Sequence, residues 1–133
     1  MGDAEIVREA LDAYNRREIS AAKEYVDPEL KWELSDYLLQ QPGHHTVGRD
    51  EWLRLGELVF ETFAESKIDV DEVIVAAPGK VVCTGTLALR MNEGDPVATA
   101  PWVRLFELRD GRIARSTTYR DRGAAIEAAK AAG

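Results

Sequence analysis

The sequence predicts an α+β fold in which helices pack against an antiparallel sheet, and a change in hydrophobic periodicity is the main reason. Up to residue 63 the longer apolar patterns repeat every three to four positions, which is the spacing of an amphipathic helix. From Lys67 onward apolar and polar residues alternate, which is the spacing of a strand. Turn sequences at residues 77–79, 92–96 and 110–111 separate four such stretches. Because connections this short cannot form parallel crossovers, these strands are predicted to form an antiparallel meander.

The N-terminal part is predicted to hold two helices and one strand. The first helix has Asp3 as its N-cap and carries its apolar face at Ile6, Val7, Ala10, Leu11 and Tyr14. A short second helix covers residues 20–25 and ends before Asp27, because Pro28 disfavours a helical conformation at the residue preceding it. The strand that follows alternates polar residues with Leu30, Trp32 and Leu34.

The remaining elements follow from the same patterns. Residues 40–48 contain a Pro, two Gly and two His and are predicted to form a loop. A long helix opens near Asp50 and contains Gly56, which costs about 1 kcal/mol relative to Ala and so indicates close packing there. The strands are expected at residues 67–76, 80–91, 97–109 and 112–120, and a final helix at 121–132. All 133 residues are expected to form a single domain.

Composition argues against several classes of partner. The chain has 17 Lys and Arg against 24 Asp and Glu, so a net charge of −7 disfavours nucleic acid and anionic membrane surfaces. No apolar run reaches the length of a membrane span and the N-terminus lacks the features of a signal peptide, so a cytoplasmic location is expected. Cys83 is the single cysteine and is expected to be a buried apolar residue. Without a Cys-based site, a third metal ligand or a nucleotide fingerprint, neither a metal nor a cofactor is expected.

Four short patches, in this order and spacing, resemble the SnoaL-like branch of the nuclear-transport-factor-2-like (NTF2-like) superfamily. They are DPELKW at residues 27–32, GRDE at 48–51, LRDGRI at 108–113 and YRDR at 119–122. The resemblance implies a cone-shaped curved sheet, a small-molecule pocket between helices and sheet, and frequently a homodimer through the outer face of the sheet. It implies no single activity, because the superfamily includes both enzymes and proteins without catalysis, so function has to be argued from the site.

By similarity to the family, alternate residues of three strands point into the cone. These are Trp102, Arg104, Phe106 and Leu108, then Ser116, Thr118 and Arg120, and in the first strand Trp32, Leu34 and Asp36. Two chemistries known in the superfamily do not match these positions. The tyrosine, protonated aspartate and base of steroid isomerases fall near Ala10, Arg104 and Leu34, and the carboxylate of epoxide hydrolases falls at Thr118.

The candidate ligand pocket therefore combines apolar walls with a few polar groups. Its predicted residues are Tyr14, Trp32, Trp102, Arg104, Thr118 and Arg120. An arginine fork there favours an anionic or carbonyl-bearing ligand; alternatively, each arginine pairs with Asp36, Asp121 or another acid as a structural contact. Asp36 and His44, or its neighbour His45, are the candidate catalytic acid and base, although paired histidines in such a loop are also typical of a solvated segment.

Three functions remain open on the sequence. The first is binding of a small organic molecule in the cone. The second is a cofactor-independent isomerase, cyclase or lyase acting on a carbonyl compound, in which Asp36 or a loop histidine moves the proton and Arg104 stabilises the oxyanion. The third is a dimeric assembly module with a vestigial pocket, which exposed Val103 and Leu105 on the opposite face of the strand would support.

Overall fold

The computed structural model describes residues 2–34 and 45–131, with His45 by its backbone only. Helix α1 spans Asp3–Asn15, a 3₁₀ helix spans Ile19–Tyr25, α2 spans Arg49–Thr62 and α3 spans Arg122–Ala131. The strands are β1 (Val26–Leu34), β2 (His45–Val47), β3 (Glu65–Ala77), β4 (Lys80–Arg90), β5 (Ala98–Arg109) and β6 (Arg112–Thr118). The predicted α+β class and the order of helices and long strands are confirmed.

All six strands form one curved sheet in the order β2-β1-β6-β5-β4-β3. Strands β3 to β6 form the predicted antiparallel meander. Strand β1 pairs parallel to β6, with Trp32 opposite Ser116, so the sheet is mixed and not antiparallel throughout. The long connection between β1 and β6, which includes α2 and four strands, allows the parallel pairing.

Strand β2 lies inside the segment that the sequence predicts as a loop, so that prediction is wrong for its last residues. It pairs antiparallel with β1, placing Val47 opposite Trp32. Three residues are too few to show an alternating pattern, which is why the sequence gives no signal for this strand.

A bulge in β3 opposite Gly85 bends the sheet. The register between β3 and β4 shifts between Val70 and Glu72, where the pairing passes Gly85. A Cβ added at Gly85 would lie 2.2 Å from the carbonyl oxygen of Asp69, so only glycine lets the two backbones approach this closely. Because bulges increase the bend and twist of a strand, this close approach contributes to the curvature that creates a concave inner face.

The inner face, which packs against α1 and α2, carries the larger apolar core, and the outer face carries a smaller one. On the outer face, Ala125 and Ala129 of α3 pack against Val82 and Leu105. Leu105 is only 3% exposed and Val103 packs against the same cluster. The expectation that Val103 and Leu105 could form an exposed apolar surface is therefore wrong, because α3 folds back over this part of the sheet.

Two local predictions had different outcomes. Gly56 does mark a close approach, since a Cβ there would lie 2.8 Å from Cγ1 of Ile19 in the 3₁₀ helix. Asp3 is not the N-cap of α1, because Asp3 is the first residue of the helix and Gly2 is its N-cap. The Asp3 carboxylate instead accepts a hydrogen bond from the backbone N–H of Gly79 at 3.2 Å, tying α1 to the turn between β3 and β4.

Candidate functional site

A cavity of about 130 Å³ lies between the helices and the inner face of the sheet. Helices α1 and α2 supply one wall and strands β1, β3, β4, β5 and β6 supply the other. The described lining is mainly aliphatic and aromatic, and its hydrogen-bonding side chains beyond the tryptophans are Tyr14, Ser66 and Arg104. A concave apolar site with a few polar groups is the usual form of a small-molecule pocket.

Aromatic rings in mutual contact form part of the wall. Trp32 lies 5.8 Å from Phe106 and 5.0 Å from Trp52, measured between ring centroids. Trp102 lies 6.2 Å from Phe106 on the other side. These spacings are those of favourable aromatic pairs, each worth about 0.5–1.5 kcal/mol beyond the area that it buries. The rings therefore hold one another in place around the cavity.

Arg104 is 4% exposed and joins three strands at one end of the cavity. From β5, its Nε donates to the Ser116 hydroxyl and its Nη1 donates to the Thr118 hydroxyl, both at 2.7 Å. Its Nη2 donates to the backbone carbonyl of Glu33 in β1 at 2.5 Å and to that of Ser116 at 3.2 Å. The guanidinium carbon lies 4.4 Å from the ring centroid of Trp32, a cation–π contact. Arg104 is thus a cross-strand tie as well as a wall of the cavity.

A second polar group in the lining is a pair of hydroxyls. The Tyr14 hydroxyl of α1 lies 2.5 Å from the Ser66 hydroxyl of β3, and either can be the donor. The amide of the neighbouring Asn15 holds the end of α1 in place: its Nδ2 donates to the Ile68 carbonyl at 2.8 Å, and its Oδ1 accepts from the Ile68 N–H at 2.9 Å. The two backbones that carry the hydroxyls are therefore fixed, while the hydroxyl protons can rotate.

Four of the six predicted pocket residues line the cavity: Tyr14, Trp32, Trp102 and Arg104. Thr118 is not part of the lining but accepts a hydrogen bond from Arg104. The prediction for Arg120 is wrong, because β6 ends at Thr118 and the alternation of faces ends with it. The Arg120 side chain is 88% exposed and pairs with Asp121 at 3.5 Å.

The candidate acid and base, Asp36 and His44, lie outside the described residues, as does the side chain of His45. The alternative that the arginines pair with an acid as a structural contact is confirmed for Arg120, which pairs with Asp121. Asp121 also accepts a hydrogen bond from the N–H of Ala124 at the start of α3 and makes no described pair with Arg104. Sequence reasoning missed Ser66 as a pocket residue. The alternation that buries Ile68 extends to Ser66, but the strand was predicted to start one residue later, at Lys67.

Titratable groups around the cavity are few. Among the described lining residues there is no Asp, Glu or His. Within residues 2–34 and 45–131 no group of three His, Cys, Asp or Glu could hold a metal ion, and none of the helices described there is long and apolar enough to cross a membrane.

Cys83 is buried, as predicted, and burial raises the pKa of its thiol to about 12. That thiol is protonated at neutral pH and unsuited to nucleophilic chemistry.

Comparisons with known proteins point to one family and one fold. A family model described as a SnoaL-like domain matches residues 7–116. Comparison with the sequences of curated proteins gives no significant match.

Three solved structures illustrate the fold. An NTF2-like protein of unknown function from Burkholderia pseudomallei superimposes with a TM-score of 0.73 at 23% identity, covering 97% of this chain and 98% of that one. IdmH, a proposed polyketide cyclase from Streptomyces antibioticus, gives 0.75 at 16% identity, covering 98% and 99%. TerC, crystallised with polyporic acid, gives 0.69 at 19% identity, covering 94% and 98%.

Proposed function

The chain belongs to the SnoaL-like domain family, and we propose that it binds a small, mostly apolar organic molecule in the cavity between its helices and its sheet. The single observation that carries this proposal is the hollow itself. A cavity of about 130 Å³ remains among buried and half-buried aromatic and aliphatic side chains, where close packing normally leaves few voids larger than a water molecule. An apolar cavity of this kind is unfavourable for water and favourable for an apolar ligand.

The composition of the lining supports binding over proton-transfer chemistry. Described residues supply aromatic walls, an arginine held by protein oxygens and a hydroxyl pair, but no carboxylate or imidazole. Carboxylates and imidazoles are the commonest general acids and bases, and such a group has to lie within hydrogen-bonding reach of the reacting atom. A group of this type could come from residues 35–44, which include Asp36 and His44, or from the side chain of His45.

A cofactor-independent isomerase, cyclase or lyase for a carbonyl compound is the second candidate. The observation in its favour is the structural likeness over nearly the whole chain to IdmH, described as a proposed polyketide cyclase. At 16% identity that likeness carries the fold and not the reaction. The homodimer and the cytoplasmic location stay predictions, and α3 already covers part of the outer face that such a dimer would use.

A thermal-shift screen with small cyclic and branched organic compounds tests the binding proposal. A compound that binds the folded chain, present at 100 times its dissociation constant, stabilises it by about 2.7 kcal/mol, a rise of several degrees in Tm for a chain of this size. Ala10 lines the cavity from α1 and is 7% exposed, so Ala10→Leu places extra atoms in the hollow. We expect the wild-type hits to lose their shift in this variant.

Ala21 provides the matched control. It is an exposed alanine of the 3₁₀ helix outside the cavity, so Ala21→Leu adds the same atoms elsewhere and should leave every shift intact. Arg104→Ala is a poor probe of binding, because Arg104 also ties three strands together. Hits that persist in a folded Ala10→Leu variant would show that the ligand binds outside the cavity and would contradict the proposal.

A further inference from the structure

We propose that Arg17 is a positioning residue that sets the width of the cavity, and with it the size of the ligand, by holding helix α2 against the turn that follows α1. This inference rests on the proposed function and adds to it the residue that limits ligand size. Arg17 is not one of the described lining residues. It acts through α2, which supplies part of the wall opposite the sheet.

Helix α2 is the wall of the cavity that the protein core holds least firmly. Among its 14 residues, all of which the structure describes, only Gly56 is buried, whereas α1 has five buried residues. Its lining side chains Trp52, Leu55 and Val59 are half-buried. Because few buried contacts fix α2, its distance from the sheet depends on the contacts that it makes with the turn after α1.

The turn after α1 meets α2 at two described points, and the first is a spacer. Ile19 is 2% exposed, and a Cβ at Gly56 would lie 2.8 Å from its Cγ1. The backbone of α2 therefore already lies against this side chain and cannot move closer without a clash. Ile19 also lines the cavity. The contact between Ile19 and Gly56 thus sets the smallest distance between α2 and the turn.

The second contact is a clasp made by Arg17. Its Nη2 donates to the carbonyl of Phe60, in the last turn of α2, and to that of Phe63 at 3.2 Å. Its guanidinium carbon lies 5.0 Å from the ring centroid of Phe60, a cation–π contact. The last turn of α2 has no basic residue of its own, so Arg17 supplies the positive charge that the carbonyl end of a helix attracts. Arg17 therefore opposes movement of α2 away from Ile19.

The backbone of Arg17 adopts a conformation that is unfavourable for an arginine. Its φ is 61°, in the left-handed region that favours glycine. The N–H of Arg17 donates to the Tyr14 carbonyl and the N–H of Glu18 donates to the Ala13 carbonyl, each at 2.9 Å, which is the pattern of a helix that ends at a left-handed residue. Glycine is the usual residue at this position. An arginine here is therefore explained by the contacts of its side chain with α2 and not by the turn.

Amide hydrogen exchange tests the clasp without any ligand. Arg17→Gly removes the side chain and suits the left-handed backbone, so the variant should fold. We expect the amides of residues 57–62 in α2 to exchange about 2- to 30-fold faster, the range for losing a cation–π contact, while those of β4 exchange as in the wild type. Arg16→Ala is the control, because Arg16 is an exposed neighbour that pairs with Glu18 at 3.4 Å and should leave α2 unchanged. Unchanged exchange in Arg17→Gly would overturn the inference.

Titrations with phenol and 2-naphthol, followed by amide chemical shifts, test the limit on ligand size. Both compounds carry one hydroxyl and they differ by one ring, so the ratio of their dissociation constants reports the space available. A cavity of about 150 Å³ holds one benzene molecule in another protein, and the cavity here has about 130 Å³, so 2-naphthol overfills it. Overfilling weakens binding by about fivefold or more. In Arg17→Gly, where α2 can move outward, the ratio for 2-naphthol over phenol should therefore fall at least about fivefold.

Two further variants show whether the side chain of Arg17 is responsible. Arg17→Lys keeps a positive charge and a hydrogen-bond donor, so its ratio should lie between those of the wild type and Arg17→Gly. Arg16→Ala removes the neighbouring guanidinium and should keep the wild-type ratio. A purely structural role for Arg17 would change the stability of the protein but not its preference between the two probes.

The outcomes separate this inference from the function on which it rests. If both probes bind and the ratio in Arg17→Gly stays at the wild-type value, only the inference about Arg17 is overturned. If Arg16→Ala changes the ratio as much as Arg17→Gly, the loss of positive charge and not the clasp is responsible, which also contradicts it. If neither probe binds the wild type, the proposed function fails for compounds of one or two rings, and the inference about ligand size fails with it.

Discussion

Two arginines of β5 reach across β6 to the same neighbouring strand, β1, and they do so in opposite environments. Arg104 is 4% exposed and reaches the Glu33 carbonyl together with two hydroxyls, all neutral oxygens. The Arg109 side chain is 55% exposed and reaches the carboxylates of Asp27 and Glu29 at 3.3 and 3.4 Å. A count of opposite charges would rank Arg109 as the stronger tie. Burial reverses that ranking for two reasons. Water weakens the exposed ion pairs of Arg109. If Arg104 is lost, its buried hydrogen-bond partners have no water to replace it.

The largest expected effect is the difference between Arg104→Met and Arg109→Met. Each variant removes a guanidinium and keeps an unbranched apolar side chain. The first leaves the Ser116 hydroxyl, the Thr118 hydroxyl and the Glu33 carbonyl without their described donor, so we expect the free energy of unfolding to fall by roughly 3–5 kcal/mol. The second removes exposed ion pairs and should change it by at most about 1 kcal/mol.

Urea denaturation of both variants measures this difference in the free energy of unfolding, and repeating it at high salt should make the difference clearer. The small effect of Arg109→Met should shrink further at high ionic strength, because exposed charges are screened. The effect of Arg104→Met should change little, since its described acceptors are neutral and are buried or partly buried. Equal losses of stability in the two variants would contradict the view that burial decides the strength of these ties.

A smaller effect is expected from Ser116→Ala, which removes a single acceptor of Arg104. Ser116 is completely buried and its hydroxyl lies 2.7 Å from the Arg104 Nε. Leaving that buried N–H without this acceptor should lower the free energy of unfolding by about 1–3 kcal/mol. In an Arg104→Met background the donor is absent, so the same substitution should have a smaller effect. The double-mutant cycle measures the coupling, and an unchanged penalty in both backgrounds would show that Ser116 stabilises the fold independently of Arg104.

The buried tie was partly predictable from the sequence, and the exposed tie was not. Alternation along β5 places Trp102, Arg104 and Phe106 on one face, and the structure buries all three. The acceptors in β6 follow the same parity. The identity of the third strand, β1, could not be predicted in this way, because the parallel pairing of β1 with β6 depends on a contact between segments separated by about 80 residues. Periodicity identifies the faces of a strand but not its neighbours.

The errors in the predicted site have related causes. Arg120 was assigned to the cavity by extending the alternation of β6 two residues beyond the actual end of the strand. Ser66 was missed because the predicted start of β3, Lys67, is two residues later than the observed start, Glu65. Both errors are at strand ends, where a change of one or two residues decides whether a side chain enters the cavity. The position of α3 also could not be inferred, since an alanine-rich helix carries too weak an apolar face to indicate which surface it covers.

The smallest expected effect is a pH dependence of the stability that the exposed Arg109–Asp27 ion pair contributes. The backbone N–H of Glu29 donates to Asp27 at 2.7 Å and, with Arg109 nearby, lowers the pKa of the Asp27 carboxyl below its ordinary value. The native state therefore favours the ionised form. The ionised Asp27 carboxylate contributes its full stabilisation above the pKa of this carboxyl in the unfolded chain, about 3.9. The stabilisation is lost as the pH falls through the lower pKa of the native state. Asp27→Asn keeps the acceptor oxygen and removes the charge, so it isolates this contribution.

We expect Asp27→Asn to lower the free energy of unfolding by less than about 1 kcal/mol at pH 7, the range for a partly exposed ion pair. The difference from the wild type should stay constant from pH 7 down to about pH 5 and shrink below about pH 4, because protonation then removes the charge from the wild type as well. Urea denaturation at pH 7, 5 and 3 measures it. Arg104→Met provides the contrast, since its effect does not depend on Asp27 and should persist at pH 3. A difference for Asp27→Asn that grows as the pH falls would mean that Asp27 stabilises the fold in its protonated form, the reverse of what the Glu29 and Arg109 contacts indicate.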